Sequence, residues 1–267
     1  MPESEQHPST LGYYPYWGKA QNYEQNGYYH LLIYHSLDVA AVTKVILDQH
    51  PALLRILGNS SGIAEDKIAP WVLWAVALHD IGKFSRDFQT KVPELYNRLQ
   101  PNGKPTSENT HHSDLGFFFF CKNVAPTLRQ YTNKHENRSQ RTEWLASLMG
   151  ATTGHHGMPP KTLNNPPLAT HFPMQAQADA AGFCDAMKDF FGIDLGVLEA
   201  VKQSHKQAMQ ETSWLIAGLC VLSDWLGSHT DYFNYRTEPI PLDEYWHTTA
   251  LPSALQAVTE AGILPTT

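Results

Sequence analysis

Apolar residues recur along this chain with the spacing of an α-helix. In residues 30–47, Leu31, His35, Val39 and Val42 return on one face, which predicts a helix. Further helices are expected over residues 113–124, 143–149, 176–191, 195–209 and 242–263. Because few segments alternate with a period of two, the pattern predicts an all-α protein.

Two segments are apolar on almost every side and are therefore expected to be buried helices. The first covers residues 71–84 and is expected to begin beside Pro70, since proline favours the first position of a helix. The second covers residues 213–227 and is expected to end at Gly227. Their tryptophans are predicted to lie in the core rather than to form a surface that stacks on bases; these are Trp71, Trp74, Trp214 and Trp225.

The remaining stretches are rich in proline and asparagine, which indicates loops. Residues 93–109 and 158–173 have this composition, and residues 231–241 resemble a linker. Since no internal repeat separates these parts, residues 1–267 are interpreted as one domain.

Composition and charge limit the possible functions. The chain has 267 residues, of which 42% are hydrophobic, so it can build a full core. Its 19 basic and 26 acidic residues give a net charge of −7, which disfavours binding of nucleic acid through a broad basic surface. The three cysteines, Cys121, Cys184 and Cys220, lie far apart, so we expect a reducing, cytoplasmic location. No apolar run reaches the length of a membrane span.

The candidate chemistry centres on His79 and Asp80, which end the apolar segment 71–84. A buried His-Asp pair is costly unless it has partners or holds an ion. Imidazoles and carboxylates are suitable ligands for divalent transition metals such as Mn, Fe, Co, Ni or Zn. Other segments offer further ligands of the same kinds from apolar surroundings, namely His35, His155, His156, Asp224 and one residue of the pair His111-His112.

These residues could hold two ions if the Asp80 carboxylate bridges them. The coordination of one ion would be completed by His35, His79 and Asp224. That of the other ion would be completed by His155, His156 and a histidine of the 111–112 pair. Two ions about 3.5–4 Å apart suit hydrolysis of a phosphodiester.

Three further polar residues flank this set. Lys83 could contact the scissile phosphate or pair with Asp80. Ser223 and Ser228 flank Asp224 and could contact ligands or phosphate.

Each residue also has a simpler interpretation. His35 taken alone is better interpreted as a core histidine. His79-Asp80 taken alone fits an ion pair with Lys83 as well as it fits a metal site. The pair His155-His156 stands between glycines, where exposed histidines are common. The metal-site interpretation depends on their joint occurrence on four segments.

Several stretches resemble the HD-type nuclease domain of the helicase-nuclease that is the signature effector of type I CRISPR systems, most closely the type I-E form. They occur in the same order along nearly the whole chain: Tyr16-Trp17-Gly18-Lys19, residues 30–42, Ala77-Leu78-His79-Asp80-Ile81-Gly82-Lys83-Phe84, Thr153-Gly154-His155-His156-Gly157 and Leu222-Ser223-Asp224-Trp225-Leu226-Gly227-Ser228.

The resemblance implies an HD-domain helical bundle with a metal site in its core, which degrades single-stranded DNA with two divalent transition-metal ions. It selects His112 from the histidine pair, as a ligand beside His155, His156 and the bridging Asp80. It also implies a superfamily 2 helicase, in cis or in trans, and a crRNA-guided surveillance complex as partners. No helicase motif is present, and residues 231–267 would lead toward the helicase junction.

Two other functions remain open on the residues alone. The same metal site could belong to an HD phosphohydrolase that acts on nucleotides or cyclic nucleotides. The chain could also be a docking module without activity, which binds a helicase or a surveillance complex.

Overall fold

A computed structural model describes residues 11–21, 23–128, 138–201 and 203–263 of this chain. Within these ranges the regular structure is helical, apart from a small antiparallel pair of strands, β1 (Trp17–Lys19) and β2 (His30–Leu31). In this pair Trp17 lies opposite Leu31, and Lys19 lies opposite His30. The prediction of a helical fold is confirmed.

The helices of the first half are α1 (Tyr23–Asn26), α2 (Leu32–Gln49), α3 (Pro51–Ser61), α4 (Glu65–Ala77), α5 (Arg86–Gln89), α6 (Pro93–Leu99), α7 (His112–Phe119) and α8 (Ala125–Leu128). Those of the second half are α9 (Arg138–Thr153), α10 (Met174–Phe190), α11 (Gly196–Ala200), α12 (Gln203–Gly227), α13 (Leu242–Tyr245) and α14 (Leu251–Glu260). Short 3-10 turns cover Ile81–Phe84 and Leu168–Thr170, and π-helical turns at Phe120–Val124 and Trp246–Ala250 join α7 to α8 and α13 to α14.

Helix α2 runs through the middle of the fold, packed against α4, α12 and α14. The sequence predicted one buried face, but nearly every side chain from Leu32 to Leu47 is buried. Even Asp38 is enclosed, and His30 and Tyr245 hydrogen-bond to its two carboxylate oxygens, each at 2.9 Å. A central helix surrounded on all sides can therefore carry a histidine such as His35 deep into the core.

Helix α4 differs from its prediction at both ends. It begins at Glu65 rather than beside Pro70, with acidic residues in its first turn, where they stabilise the positive end of the helix dipole. Pro70 lies inside the helix, where it cannot donate a backbone hydrogen bond to the carbonyl of Asp66. The α-helix ends at Ala77, and the segment that was expected to continue it to Phe84 tightens into the 3-10 turn Ile81–Phe84.

Two other boundaries were also wrong. The proline-rich stretch 93–109 contains helix α6, since Pro93 begins a helix instead of preventing one. Residues 195–209 were expected to form one helix and residues 213–227 another. In the structure the first of these segments contains the short helix α11 and the start of α12, and α12 continues without a break through the second, over 25 residues. Gly227 ends α12 as predicted.

The tryptophans of α4 and α12 have opposite environments. Trp71 and Trp74 are buried as expected, whereas 76% of Trp214 and 80% of Trp225 is exposed. The prediction that the latter two lie in the core was wrong, because α12 turns Ile216 towards the interior instead. Composition alone does not tell which side of an apolar helix is buried. No helix among the described residues combines the length and the apolar character needed to cross a membrane.

Candidate metal centre

Imidazole nitrogens from four parts of the fold meet around the carboxylate of Asp80. Its Oδ2 lies 3.2 Å from Nε2 of His35 and 3.3 Å from Nε2 of His79. Its Oδ1 lies 3.2 Å from Nε2 of His112 and 3.6 Å from Nε2 of His155. Each carboxylate oxygen therefore faces a different pair of histidines.

We call the first side the inner position, formed by His35, His79, Asp224 and Oδ2 of Asp80. Asp224, from the last turn of α12, places its Oδ1 3.3 Å from Nε2 of His35 and 3.7 Å from Nε2 of His79. Both histidines and Asp80 are fully or almost fully buried.

We call the second side the outer position: it consists of His112, His155 and Oδ1 of Asp80, with His156 beside His112. His156 is an exposed residue, and its Nε2 lies 3.0 Å from Nε2 of His112. His111 is also exposed, and its Nδ1 accepts a hydrogen bond from the backbone N–H of Ser113 at the start of α7. Of the 111–112 pair, His112 is therefore the residue that the structure places against Asp80, while His111 stands next to His112 and His156.

A tight turn after α4 brings the two positions together. Backbone N–H groups of His79 and Ile81 bond to carbonyls three residues earlier, at 3.0 Å each, as in a 3-10 helix. The turn packs closely on the start of α7: a Cβ at Gly82 would lie only 1.9 Å from the carbonyl oxygen of His112. Glycine at this position thus permits the approach that sets His112 beside Asp80.

The residues present fit a divalent metal. Among the described residues, the buried side-chain atoms without a hydrogen-bond partner include Nε2 of His35, Nε2 of His79 and Oδ1 of Asp80. Buried polar atoms rarely remain unsatisfied, and these converge on common points, as metal ligands do. Nδ1 of His79 lies 2.8 Å from the carbonyl of Val76, and Nδ1 of His155 lies 2.9 Å from that of Thr152. A carbonyl only accepts, so Nδ1 of each ring carries a proton and Nε2 is the nitrogen that faces the centre, where it can bind a metal when it is unprotonated.

Burial and charge keep the carboxylates ionised. Burial opposes the charge on Asp80, but Lys83 and His79 outweigh it and hold the pKa of Asp80 well below its usual value. Burial likewise opposes the charge on Asp224, but the neighbouring His35 and His79 together outweigh it and hold the pKa of Asp224 well below its usual value.

The histidines differ in their protonation. Burial lowers the pKa of His35 to about 4, that of His112 to about 4 and that of His155 to about 3. For His79 burial acts in the same direction, but the charges of Asp80 and Asp224 outweigh it and raise the pKa to about 9. In the metal-free protein His79 therefore carries a second ring proton, on Nε2, between the two carboxylates of the inner position.

Lys83 is buried and pairs with Asp80. Its Nζ lies 2.5 Å from Oδ2 of Asp80 and donates to the carbonyl of Gly18 at 3.0 Å. The ammonium also stands over the ring of Phe88, 5.0 Å from its centroid. Contact of Lys83 with a substrate phosphate stays a prediction.

The two serines beside Asp224 have different positions. Ser228 donates a hydrogen bond to Oδ1 of Asp224 at 2.9 Å, so it is placed to orient that carboxylate, and its contact with substrate stays a prediction. Ser223 is completely buried and bonds to the hydroxyl of Thr43 in α2 at 2.8 Å. The expected contact of Ser223 with substrate is corrected, because a fully buried hydroxyl between two helices has no surface to offer.

Sequence reasoning assigned no role to Lys19, which the structure places at this centre. Its Nζ lies 3.7 Å from Oδ1 of Asp224. The available signal was its place in the stretch Tyr16-Trp17-Gly18-Lys19, one of those on which the resemblance rests.

The fold and the side chains together define a helical domain with a buried His/Asp cluster suited to divalent metals. The family model for the HD domain of Cas3 matches residues 17–233, and the chain belongs to this family. The resemblance drawn from the sequence is thus confirmed.

Two curated relatives are each named CRISPR-associated endonuclease/helicase Cas3. The protein from Escherichia coli (strain K12) is 31% identical over 230 residues, which cover 80% of this chain and 26% of the relative. The protein from Thermus thermophilus is 27% identical over 216 residues, which cover 79% of this chain and 22% of the relative. The chain thus spans about a quarter of the length of these relatives.

Solved structures share the fold. The Thermus thermophilus Cas3 HD domain, crystallised in the presence of Ni²⁺, aligns with a TM-score of 0.60 at 20% identity and covers 89% of this chain and 88% of that one. T. fusca Cas3 aligns with a TM-score of 0.70 at 20% identity, over 95% of this chain and 27% of that one. A chain of a CRISPR RNA-guided surveillance complex in a pre-nicking state aligns with a TM-score of 0.65 at 21% identity, over 94% of this chain and 29% of that one.

Proposed function

We propose that this chain is a metal-dependent nuclease that hydrolyses phosphodiester bonds of single-stranded DNA in CRISPR defence against foreign DNA. The observation that carries the proposal is the Asp80 carboxylate, whose two oxygens face separate pairs of histidines at 3.2–3.6 Å. A carboxylate so placed suits a bridge between two divalent ions about 3.5–4 Å apart. The names of the E. coli and T. thermophilus relatives, which include "endonuclease", support this chemistry.

Two bound ions would supply an activated water for attack on phosphorus and a positive charge for the leaving oxygen. The inner ion would be held by His35, His79, Asp80 and Asp224, and the outer ion by Asp80, His112, His155 and His156. Lys83 fixes the orientation of Asp80, since its ammonium holds Oδ2 at 2.5 Å. The ligand types admit Mn, Fe, Co, Ni or Zn, and the presence of Ni²⁺ in the crystals of the T. thermophilus domain agrees with this range.

The position of the centre favours a single strand over a duplex. His35, His79 and Asp80 are buried, so a scissile phosphate that reaches the inner position has to pass below the protein surface. A duplex is stiff over about 150 base pairs, so bending it below the surface costs free energy. A flexible single strand can follow such a path at a lower cost.

We further propose that a superfamily 2 helicase, in cis or in trans, and a crRNA-guided surveillance complex deliver the strand. With a net charge of −7 the chain has little general attraction for DNA, so its own affinity should be modest. The relatives are named as endonuclease/helicases and extend well beyond the matched segment, which supports a helicase partner.

The test uses circular single-stranded DNA, relaxed circular duplex DNA, deoxynucleoside triphosphates and cyclic nucleotides, each with Mn²⁺, Co²⁺ or Ni²⁺ and with EDTA as a control. We expect cutting of the single-stranded circle with metal and none with EDTA. Hydrolysis of nucleotides without strand cutting would instead assign the site to a nucleotide phosphohydrolase. Absence of all hydrolysis, with retained binding to a helicase or surveillance complex, would make the chain a docking module.

A further inference from the structure

Two lysines stand beside the centre, and their ammonium groups are in different situations. The side chain of Lys83 is only 6% exposed, and its Nζ is held by Asp80 and by the carbonyl of Gly18. The side chain of Lys19 is 26% exposed and makes a looser ion pair, 3.7 Å from Oδ1 of Asp224. Lys83 thus acts inside the protein, whereas Lys19 stands between Asp224 and solvent.

Strand β1 fixes Lys19 in this place. At the preceding residue, Gly18, a Cβ would lie 3.0 Å from Cα of Leu32 and 3.4 Å from Cβ of His35, so the strand packs directly on the first turns of α2. The carbonyl of the same glycine accepts the hydrogen bond from Lys83. The next residue along this strand is Lys19, so its side chain starts from a strand that packs on α2 and reaches Asp224 from there.

The ammonium of Lys19 stands at the edge of the inner position, since its Nζ lies 3.7 Å from Oδ1 of Asp224, the same oxygen that faces His35 and His79. A divalent ion at the inner position would bind Asp224 and repel the ammonium of Lys19. This repulsion would favour a change of partner, in which Lys19 leaves Asp224 and pairs with an anion that arrives from solvent.

We infer that Lys19 is a substrate-binding residue whose ammonium contacts a non-bridging phosphate oxygen of the DNA strand at the mouth of the inner position, while Lys83 only orients Asp80. The inference rests on the proposed nuclease function. It assigns the phosphate contact to the lysine of β1 instead of the lysine that follows Asp80.

The test compares Lys19→Gln and Lys19→Arg with the wild-type chain on a single-stranded oligonucleotide in Mn²⁺, over a range of salt concentrations. For Lys19→Gln we expect kcat/KM to fall about tenfold and the slope of log(kcat/KM) against log[salt] to become shallower by about 0.7, since one phosphate contact is lost. Lys19→Arg should restore both quantities. The affinity for Mn²⁺, measured by calorimetry, should stay the same or rise in Lys19→Gln.

Lys67→Gln is the matched control. Lys67 is an exposed lysine that pairs with Asp194 at 2.9 Å, near the start of α4 and about 15 Å along that helix from its other end. It should leave the rate and the salt dependence unchanged.

The outcomes separate the two proposals. Suppose that the wild type cuts DNA but Lys19→Gln keeps the same salt slope, or loses only metal affinity. Lys19 is then a structural partner of Asp224, so the inference is overturned while the nuclease function stands. If the wild type neither binds nor cuts single-stranded DNA with any of the metals, the nuclease function fails and the inference fails with it.

Discussion

The inner and outer positions share Asp80 but are built in different ways. The inner position takes its ligands from α2, from the turn after α4 and from α12, and its histidines are completely buried. The outer position takes them from the start of α7 and from the turn after α9, and it includes the exposed His156. Ligands fixed by a core bind an ion with less loss of side-chain freedom than ligands at a rim. We therefore expect the inner ion to bind more tightly and the outer ion to exchange more readily.

Loss of Asp80 should have the largest effect, because it removes the one ligand common to both positions. We expect Asp80→Asn to lower nuclease activity by more than about 100-fold, since even residues that only orient ligands are worth 10–100-fold. Both bound ions should be lost, as measured by elemental analysis after dialysis.

The same change leaves the buried Lys83 without its partner, which should lower the free energy of unfolding by about 3 kcal/mol. The double variant Asp80→Asn, Lys83→Met controls for this effect: its stability should recover while metal binding and activity stay absent. Recovery of activity in the double variant would show that Asp80 serves only to neutralise Lys83.

Matched substitutions on the two sides test the comparison directly. His35→Gln removes an inner ligand and His112→Gln an outer one, with little change in side-chain size. In stepwise titrations with Mn²⁺ we expect the first variant to lose the tighter binding event and the second to lose the weaker one, and each to lose activity by at least about tenfold. If both variants lose the same single event, the centre holds one ion and the distinction between the two positions fails.

The two positions should also differ in their response to pH. In the metal-free protein the pKa of His79 is raised to about 9, so an inner ion has to displace its proton and the apparent affinity should fall about tenfold for each pH unit below about 9. At the outer position the pKa values of His112, about 4, and His155, about 3, are lowered, so both imidazoles are already neutral at pH 6.

Calorimetry at pH 7 in two buffers of different ionisation enthalpy measures this difference. We expect about one proton released with the inner ion and none from these two histidines with the outer ion. Equal proton release in both binding steps would contradict the assignment of the charged histidine to the inner position.

The sequence predicted the helical fold and every histidine and aspartate that the structure gathers around Asp80. Most of these residues are short-range signals, because each is a polar group inside an apolar stretch or between glycines; His112 is the exception, since only the family resemblance chose it over His111. The geometry of the centre was not predictable in the same way. The 3-10 turn after Ala77, and the contact of Gly82 with His112, depend on how α4 meets α7 and leave no trace in local periodicity.

The errors have the same origin. Trp225 was expected in the core and Ser223 at the substrate, although the structure exposes the first and buries the second. Both flank Asp224 on α12, and only the packing of this helix against α2 and α9 decides which neighbour turns inward. Lys19 was overlooked because it is far from Asp224 in sequence. The pairing of β1 with β2 places Lys19 opposite His30, just before α2, and from there its ammonium lies close to Asp224.

The smallest expected effect separates the two serines beside Asp224. Ser228 donates to the carboxylate oxygen that faces His35, so Ser228→Ala should weaken binding of the inner ion by about tenfold and leave the outer ion unchanged. Ser223→Ala is its matched control: it removes a hydroxyl that bonds only to Thr43 among the described residues, and should lower the free energy of unfolding by about 1 kcal/mol without changing metal affinity. Mn²⁺ titration and chemical denaturation of both variants measure these quantities. An equal loss of metal affinity in the two variants would mean that the packing of α12, rather than the hydrogen bond from Ser228, sets the position of Asp224.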